Sequence, residues 1–430
     1  LILLPEIVLT PDWEKRFFQK FSFAPLVWNS EITKKKKKKI WLSALNGTGG
    51  VIVGARSALM IPISNLGLII VDEEHEQAFK QEENVRYNAR DMAIYRSTRS
   101  SSPIVLASAT PSLETFYNAK NGKYIHLTLP KRATGATLPH IKLIDLIAHP
   151  PDKGKWLSPL LVGEIQNKLN NKEQSLLFLN RRGYAPLSIC NSCGDKIKCI
   201  NCDTWLVEHR SKNLLVCHHC GYSRTFENVC KKCGAEGQIK ACGPGVERIE
   251  EEIKEIFPKA RLIVLSSDTM NNHKILNDTV EKIKNNKVDI VIGTQMIAKG
   301  HDFPNLKLVG IVDSDVGLSG GDLRASERTF QVLQQVSGRS GRHSKKEEDK
   351  GVVLIQTHDS KNPIINAISK NNRNEFFDKE LMSRQNANMP PFGRLASIIL
   401  SSRLERKLET FSLELLKLAP LFKNVKIFGP

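Results

Sequence analysis

Nine short runs rich in Val, Ile and Leu punctuate the chain, and they constrain its fold more than anything else in it. They are "LILL" (1–4), "VIV" (51–53), "LIIV" (68–71), "PIVLA" (103–107), "SLLFL" (175–179), "RLIVL" (261–265), "DIVIG" (289–293), "LVGIV" (308–312) and "GVVLI" (351–355). None alternates with polar residues, and each stops abruptly in polar or small ones. Such runs read as strands buried on both faces of a parallel sheet, with the helix-length stretches between them as crossovers. The predicted fold class is α/β. Two series of strands, before and after a Pro- and Gly-bearing stretch at 131–157, predict two similar lobes in tandem with a cleft between them. Ligands of such sheets bind beyond the carboxyl ends of the strands, so the polar tails carry the functional information.

Those tails are chemically marked. In the first lobe they include Gly54-Ala55-Arg56-Ser57, Asp72-Glu73 and Ser108-Ala109-Thr110. In the second they include Asn180-Arg181-Arg182-Gly183, Thr294-Gln295 and Asp313-Ser314-Asp315. The domain reading is a first lobe at 1–130, a linker at 131–157, a second lobe at 158–189 and 243–360, an inserted module at 190–242, and the start of a C-terminal domain at 361–430. In that last part "NRNEFFDKELMSRQ", stopped by "MPPFG", predicts a helix.

The inserted module holds all nine cysteines, eight of them as Cys190/Cys193, Cys199/Cys202, Cys217/Cys220 and Cys230/Cys233. Four CxxC pairs in one short stretch point to zinc, since two such turns complete a tetrahedral shell of thiolates. Cys199/Cys202 with Cys217/Cys220 has zinc-ribbon spacing and leaves the outer pairs for a second site nested around the first. An alternating arrangement is also open. His218 and His219 read as exposed bystanders and Cys242 as a buried thiol. Sites with four cysteines are closed, so the module reads as a docking surface for protein or DNA rather than a catalytic centre.

The 430 residues carry a formal net charge of +18, which suits a polyanionic partner such as nucleic acid. An AT-rich genome would also produce such a Lys- and Asn-rich chain. The run "TKKKKKK" at 33–39 reads first as a solvated helix face. No apolar run approaches the ~18 residues of a membrane span, and no signal peptide is evident. The expected location is the cytoplasm.

Asp72-Glu73-Glu74-His75 at a strand tip fits a metal-nucleotide site: Asp72 to orient Mg²⁺, Glu73 to position and deprotonate water. "LASATPSLE" (106–114), "IGTQMIAKGHDFP" (292–304), with Lys299 and His301, and "QQVSGRSGR" (334–342) supply hydroxyls, a glycine-flanked turn and the arginines Arg339 and Arg342. Arginines stabilise the negative charge that phosphoryl transfer develops.

This set resembles the superfamily 2 helicases. With "LLPEIVLTP", "VIVGARSAL", "VDEEH", "YNARDMAIYR", "ASATPSLET", "FLNRRGYAP", "DLRASERTFQVLQQVSGRSGR" and "MPPFGRLA", it is similar to the replication-restart helicases of the primosomal protein N′ (PriA) family. The cysteine module after "NRRGYAP" narrows the resemblance to that family and argues against another superfamily 2 translocase. The resemblance implies two RecA-like lobes and an ATP- and Mg²⁺-dependent 3′–5′ DNA helicase. It would act at stalled forks, assemble the primosome, and meet forked and single-stranded DNA and single-strand-binding protein. It implies Asp72, Glu73, His75, Arg339 and Arg342 as catalytic residues. Ser108, Ala109, Thr110, Gln335 and Gly338 would couple nucleotide state to DNA grip. Thr10, Arg56, Ser57, Arg86, Tyr87, Arg90, Thr294, Gln295 and Lys299 would contact DNA. It also implies two zinc ions on the eight paired cysteines in the nested pattern. Val85 stands where the family often has a tryptophan, so base stacking in the loop at 81–91 is expected to be weaker, by ~1–3 kcal/mol for one ring.

Gly-x4-Gly-Lys-Ser/Thr does not occur in the sequence; "NGTGGVIVGAR" and "GPGVERIEE" lack a placed lysine. In the family that phosphate loop precedes the strand that opens this chain. The expectation is therefore a partial chain that hydrolyses ATP negligibly by itself. The alternative expectation is a non-catalytic zinc- and DNA-binding remnant of such a helicase.

Overall fold

The computed structural model describes residues 1–5, 11–30, 32–81, 85–129, 135, 137–180, 187–190, 192–195, 197–200, 206–209, 214–216, 222–242, 245–265, 273–294, 303–318, 324–342, 350–396, 398, 400, 402, 404–419 and 425–427. The chain divides into two compact units, one up to Leu127 and one from Thr128.

The first unit is built on β1 (Ile2–Leu3), β2 (Leu26–Trp28), β3 (Ile52–Gly54), β4 (Ile69–Asp72) and a small hairpin, β5 (Lys80–Gln81) with β6 (Tyr87–Asn88), followed by β7 (Ile104–Ala107). Its helices are α1 (Pro11–Phe21), α2 (Lys34–Leu45), α3 (Ala89–Ser100) and α4 (Leu113–Lys120). The sheet runs β2-β3-β1-β4-β7, with every pairing parallel. Leu3, Ile52, Val71 and Ile69 on the strands meet Ile40 and Ala44 of α2 and Ala89 and Ala93 of α3 in one core. Full burial of each large aliphatic side chain there contributes about 1.5–3 kcal/mol. Gly54 ends β3 because nothing larger fits: a Cβ there would stand 2.4 Å from the Trp28 carbonyl oxygen.

The second unit carries β8 (His140–Asp145), β9 (Gln174–Leu179), a cysteine module described below, β15 (Leu262–Leu265), β16 (Ile290–Gly293), β17 (Leu306–Asp313) and β18 (Val352–Thr357). The module comprises β10 (Leu187–Cys190), β11 (Val207–His209), β12 (Leu214–Val216), β13 (Ser223–Thr225) and β14 (Ile239–Cys242). Helices α5 (Pro159–Asn170), α6 (Val246–Ile256), α7 (His273–Lys284), α8 (Ala325–Ser337), α9 (Pro363–Ser369), α10 (Arg373–Asn386) and α11 (Glu405–Leu418) complete it. The large sheet is again all parallel, in the order β15-β16-β9-β17-β18-β8. The cysteine module is a separate antiparallel sheet, β13-β12-β11-β10-β14. Its first and last strands pair, Leu187 opposite Cys242, so the chain leaves and re-enters the lobe at one place, as an insertion must.

All nine apolar runs are strands of the two parallel sheets. Two strands escaped the sequence pattern, β2 and β8, and both lie at sheet edges. In β8 His140 and Lys142 are exposed while Ile141 and Ile144 are buried, so its apolar signal is diluted. The stretch 131–157 is therefore not simply a connector. It adds β8 to the second sheet, and the backbone N–H groups of Trp156 and Leu157 donate to the buried Glu252 carboxylate on α6. The start of the expected C-terminal domain is likewise part of the second unit: Phe376 of α10 stacks on Phe330 of α8 at 4.1 Å, and Arg384 reaches the buried Glu327 at 3.0 Å.

Candidate functional site

The first unit gathers the acidic box at the carboxyl ends of β4 and β7. Asp72 closes β4, and its carboxylate accepts the Glu73 N–H at 3.0 Å. Burial pushes the Asp72 carboxyl above its ordinary value, with the Glu73 N–H acting the other way. Glu73 sits in the left-handed region at φ 49°, a conformation that costs a non-glycine residue about 1–2 kcal/mol. The turn so formed sends successive side chains in different directions. His75 Nδ1 lies 2.7 Å from the Ser108 hydroxyl, and Ser108 Oγ accepts the Thr110 N–H at 3.0 Å. The acidic tip and the Ser108-Ala109-Thr110 turn are thus one hydrogen-bonded unit. Thr110 is fully buried and Ala109 exposed.

Glu74, which sequence reasoning gave no role, is the hub of this region. It is 2% exposed and accepts from the Ser112 N–H at 2.7 Å, the Ser112 and Thr115 hydroxyls at 3.1 and 3.0 Å, and Arg90 Nη1 at 3.1 Å. Ser112 also caps α4, accepting the Thr115 N–H at 3.3 Å. Arg90 further binds Asp91 at 2.8 Å, and these two acids raise its pKa despite the opposing effect of burial, the largest single influence. Arg90 was expected to contact DNA; here it is buried and turned inward, a brace between the acidic tip and the first turn of α3. A charged pair at this depth needs just such additional hydrogen bonds to offset its desolvation.

Of the other expected nucleic-acid residues of the first unit, Ser57 and Arg86 are exposed and Arg56 and Tyr87 are half-buried. Arg56 and Ser57 follow β3, and Arg56 donates to the carbonyls of Ala78 and Lys80 at 3.3 and 3.1 Å, tying that turn to the β5–β6 hairpin. Arg86 is exposed, and Val85 is 75% exposed. Tyr87 packs against the core instead of standing free. Thr10, Gln295 and Lys299 lie outside the described residues.

In the second unit Thr294 stands at the carboxyl end of β16. Gln335 lies on α8 and Gly338 caps it. The turn bearing Arg339 and Arg342 is pinned at the opposite, amino end of the sheet. The Ser340 hydroxyl donates to the carbonyls of Lys307 and Val352 at 2.8 and 3.1 Å, and the Gly341 N–H to that of Leu306 at 2.9 Å. Asp313 and Asp315 are buried and internally satisfied, Asp315 by the Thr357 hydroxyl at 2.9 Å and the His358 N–H at 2.7 Å. They hold strand ends together.

The cysteine module contains a second constellation. The sulfurs of Cys190, Cys193, Cys230 and Cys233 all lie within 4.8 Å of one another. Cys190–Cys233 and Cys193–Cys230 are each 3.7 Å apart. That is far beyond a disulfide and matches thiolates around zinc, whose ~2.3 Å bonds set tetrahedral sulfurs about 3.8 Å apart. The two turns are copies of each other. Cys190 accepts from the Gly194 N–H and Cys230 from the Gly234 N–H, both at 2.8 Å through their carbonyls, with φ 73° and 71° at the glycines. Backbone N–H groups of Cys233 and then Lys232 hold the Cys230 thiol down to about 7, while burial raises Cys190. The outer pairs therefore combine, as the nested reading expects. Of the inner four only Cys199 is described, buried beside Leu206 and Leu215; Cys202, Cys217 and Cys220, with His218 and His219, lie outside the described residues.

Known proteins similar to this chain point to one family. The family model "DEAD/DEAH box helicase" matches residues 1–119, "PriA DNA helicase Cys-rich region (CRR) domain" matches 199–224, and "Helicase conserved C-terminal domain" matches 226–344. The replication restart protein PriA of Rickettsia felis is 45% identical over 430 residues, the whole of this chain and 66% of that protein. That of Haemophilus influenzae is 38% identical over 429 residues, covering 57% of its length. The chain thus spans just under two thirds of the first and less of the second. A solved structure of RecG bound to a three-way DNA junction aligns with 97% of this chain and 43% of that one, at 14% identity and a TM-score of 0.47.

Proposed function

The chain belongs to the PriA family of superfamily 2 helicases, and from that premise we propose that it forms the motor core of an ATP-dependent DNA helicase of replication restart. The observation that carries the reading is the bond between His75 and Ser108 at 2.7 Å, which joins the acidic tip to the adjacent turn. Asp72 and Glu73 are the residues that would hold Mg²⁺–ATP, which supplies the phosphoryl group and the charge that polarises it. Glu73 would take the proton of the attacking water, and Arg339 and Arg342 would donate to the transferred phosphate. His75, Ser108, Ala109, Thr110, Gln335 and Gly338 would relay nucleotide state. Arg56, Ser57, Arg86, Tyr87 and Thr294, with Thr10, Gln295 and Lys299, would form the DNA path. Arg90 acts in this scheme through Glu74.

The finer assignments follow the family: 3′–5′ movement, forked and single-stranded DNA, primosome assembly, single-strand-binding protein as a partner, and a cytoplasmic place. Among the described residues no helix is long and apolar enough to cross a membrane. Two zinc ions are proposed, one on Cys190, Cys193, Cys230 and Cys233 and one on Cys199, Cys202, Cys217 and Cys220.

A second reading, a zinc- and DNA-binding remnant, is favoured by one observation: the sequence has no Gly-x4-Gly-Lys-Ser/Thr. The two readings share a prediction for this polypeptide. The purified 430-residue chain binds single-stranded DNA and shows negligible ATP hydrolysis, with or without DNA. Robust DNA-stimulated hydrolysis would defeat the account of the missing lysine; failure to bind DNA would defeat both readings. Fusing a segment that bears Gly-x4-Gly-Lys-Thr ahead of Leu1 separates them, since DNA-stimulated hydrolysis is then expected of a helicase core alone.

A further inference from the structure

Helix α2 opens with Lys34, Lys35, Lys36, Lys37, Lys38 and Lys39. A bare lysine run tends to remain disordered, yet this one is helical for identifiable reasons. The Thr33 hydroxyl caps the helix, accepting the Lys36 N–H at 3.3 Å. Ile40 and Ala44 anchor its inner face in the core, and Trp41 lies against Trp28 at 6.4 Å. Lys37 alone leans inward, its ammonium 5.9 Å from the Trp28 ring centre. The other five are exposed.

The arrangement is electrostatically unfavourable as it stands. The first turn contains no acid, and the cations lie at the positive end of the helix dipole and beside one another. Among the described residues none of the six forms an ion pair. The position of the run is equally specific. β2 and β3 are parallel neighbours, with Trp28 opposite Gly54. β2 ends at Trp28 and α2 begins at Lys34, and Arg56 and Ser57 follow β3 closely. The lysines therefore extend the same carboxyl edge of the sheet on which Arg56 and Ser57 stand.

We infer that the exposed face of the first two turns of α2 binds the phosphodiester backbone of DNA, without reading bases. This rests on the proposed function for Arg56 and Ser57 and adds a surface to it. Closely spaced anions would relieve the repulsion that five exposed ammonium groups impose on one another. Flexible, point-charged lysines suit phosphates rather than bases, and the one ring on this helix, Trp41, is only partly exposed and leans on Trp28.

The test is the salt dependence of binding to a labelled single strand and a labelled duplex. One variant of the 430-residue chain combines Lys34→Gln, Lys35→Gln, Lys36→Gln, Lys38→Gln and Lys39→Gln. A control removes the same charge at exposed sites of the second unit: Lys153→Gln, Lys259→Gln, Lys361→Gln, Lys370→Gln and Lys407→Gln. Each phosphate contact adds about 0.7–0.9 to the slope of log affinity against log salt. The α2 variant is expected to lose about 2 or more from that slope and roughly tenfold or more in affinity at low salt, while the control stays near the parent. Its melting temperature should be equal or higher, because repulsion is removed, so misfolding does not mimic the result. Equal slopes for the α2 variant and the control overturn the inference. If Arg56→Ala weakens binding while the α2 variant does not, the proposed function stands and this surface falls. If the parent binds no DNA, both fall. Binding to phosphatidylserine vesicles that disappears in the α2 variant, with DNA binding intact, assigns the ridge to lipid and overturns it as well.

Discussion

The acidic tip of β4 and the outer cysteine cluster each converge four side chains in a small volume, but they are held together in opposite ways. At the tip, protein donors already meet the charge: Glu74 accepts from Arg90, Ser112 and Thr115, and Ser108 meets His75. Among the described residues the cysteine cluster has only backbone N–H groups facing its sulfurs, which stand 3.7 Å apart in two pairs with no cationic side chain among them in the way Arg90 faces Glu74. Four thiolates at that spacing are stable only around a cation. The first arrangement is a brace that the fold stabilises by itself. The second makes the fold of the module conditional on metal.

The sharpest way to break the comparison is to remove metal. Cys230→Ser should lower bound zinc from the expected two per chain to one, and a strong chelator should unfold the module while leaving both parallel sheets intact. Zinc in such sites contributes on the order of 10 kcal/mol of folding free energy. Metal analysis with hydrogen exchange over β10 to β14 reads this out; an unchanged exchange pattern after chelation would show that the module stands without zinc. Uptake should also weaken as pH falls, because the thiols must give up their protons to bind the metal.

A smaller effect is expected at the tip. Arg90→Met strands the buried Glu74 carboxylate and should cost about 3–5 kcal/mol in denaturant unfolding. Adding Glu74→Gln to Arg90→Met should recover part of that loss. Independent, additive losses would mean that the pair is not a unit.

Two substitutions at the same tip should stabilise the protein. Glu73→Gly relieves the left-handed backbone and is expected to raise stability by about 1 kcal/mol, at the expense of the carboxylate proposed to activate water. Asp72→Asn should raise the melting temperature at neutral pH. The native Asp72 holds its proton to higher pH than the unfolded chain does. Its contribution is therefore present below the ordinary carboxylate value and is lost as pH rises through the raised one. The gap between the variant and its parent should close as pH falls toward 3.8; a gap that widens instead contradicts the burial argument.

Much of this was legible beforehand, and the rest was not, for reasons of locality. Central strands declare themselves because burial on both faces leaves only apolar residues, and the edge strands β7 and β15 were found as well because their runs are apolar throughout. β2 and β8 were hidden because one is only three residues long and the other is interrupted by the exposed His140 and Lys142. A CxxC turn is likewise local, and its spacing points to zinc without further context. Which turns combine is a matter of distance in space, and the outer pairs are 37 and 43 residues apart along the chain.

The sequence by itself determined the class of fold, the polar strand tips, the metal-binding character of the module and the family. Tertiary structure alone decided how particular side chains are used. It turned Arg90 from an expected DNA contact into a partner for Glu74, placed the Arg339–Arg342 turn at the amino end of its sheet, and set a lysine helix beside Arg56. Residue type and spacing report what a side chain can do chemically. Burial and partners, which depend on chain segments far apart in sequence, decide whether its charge faces inward or out to solvent.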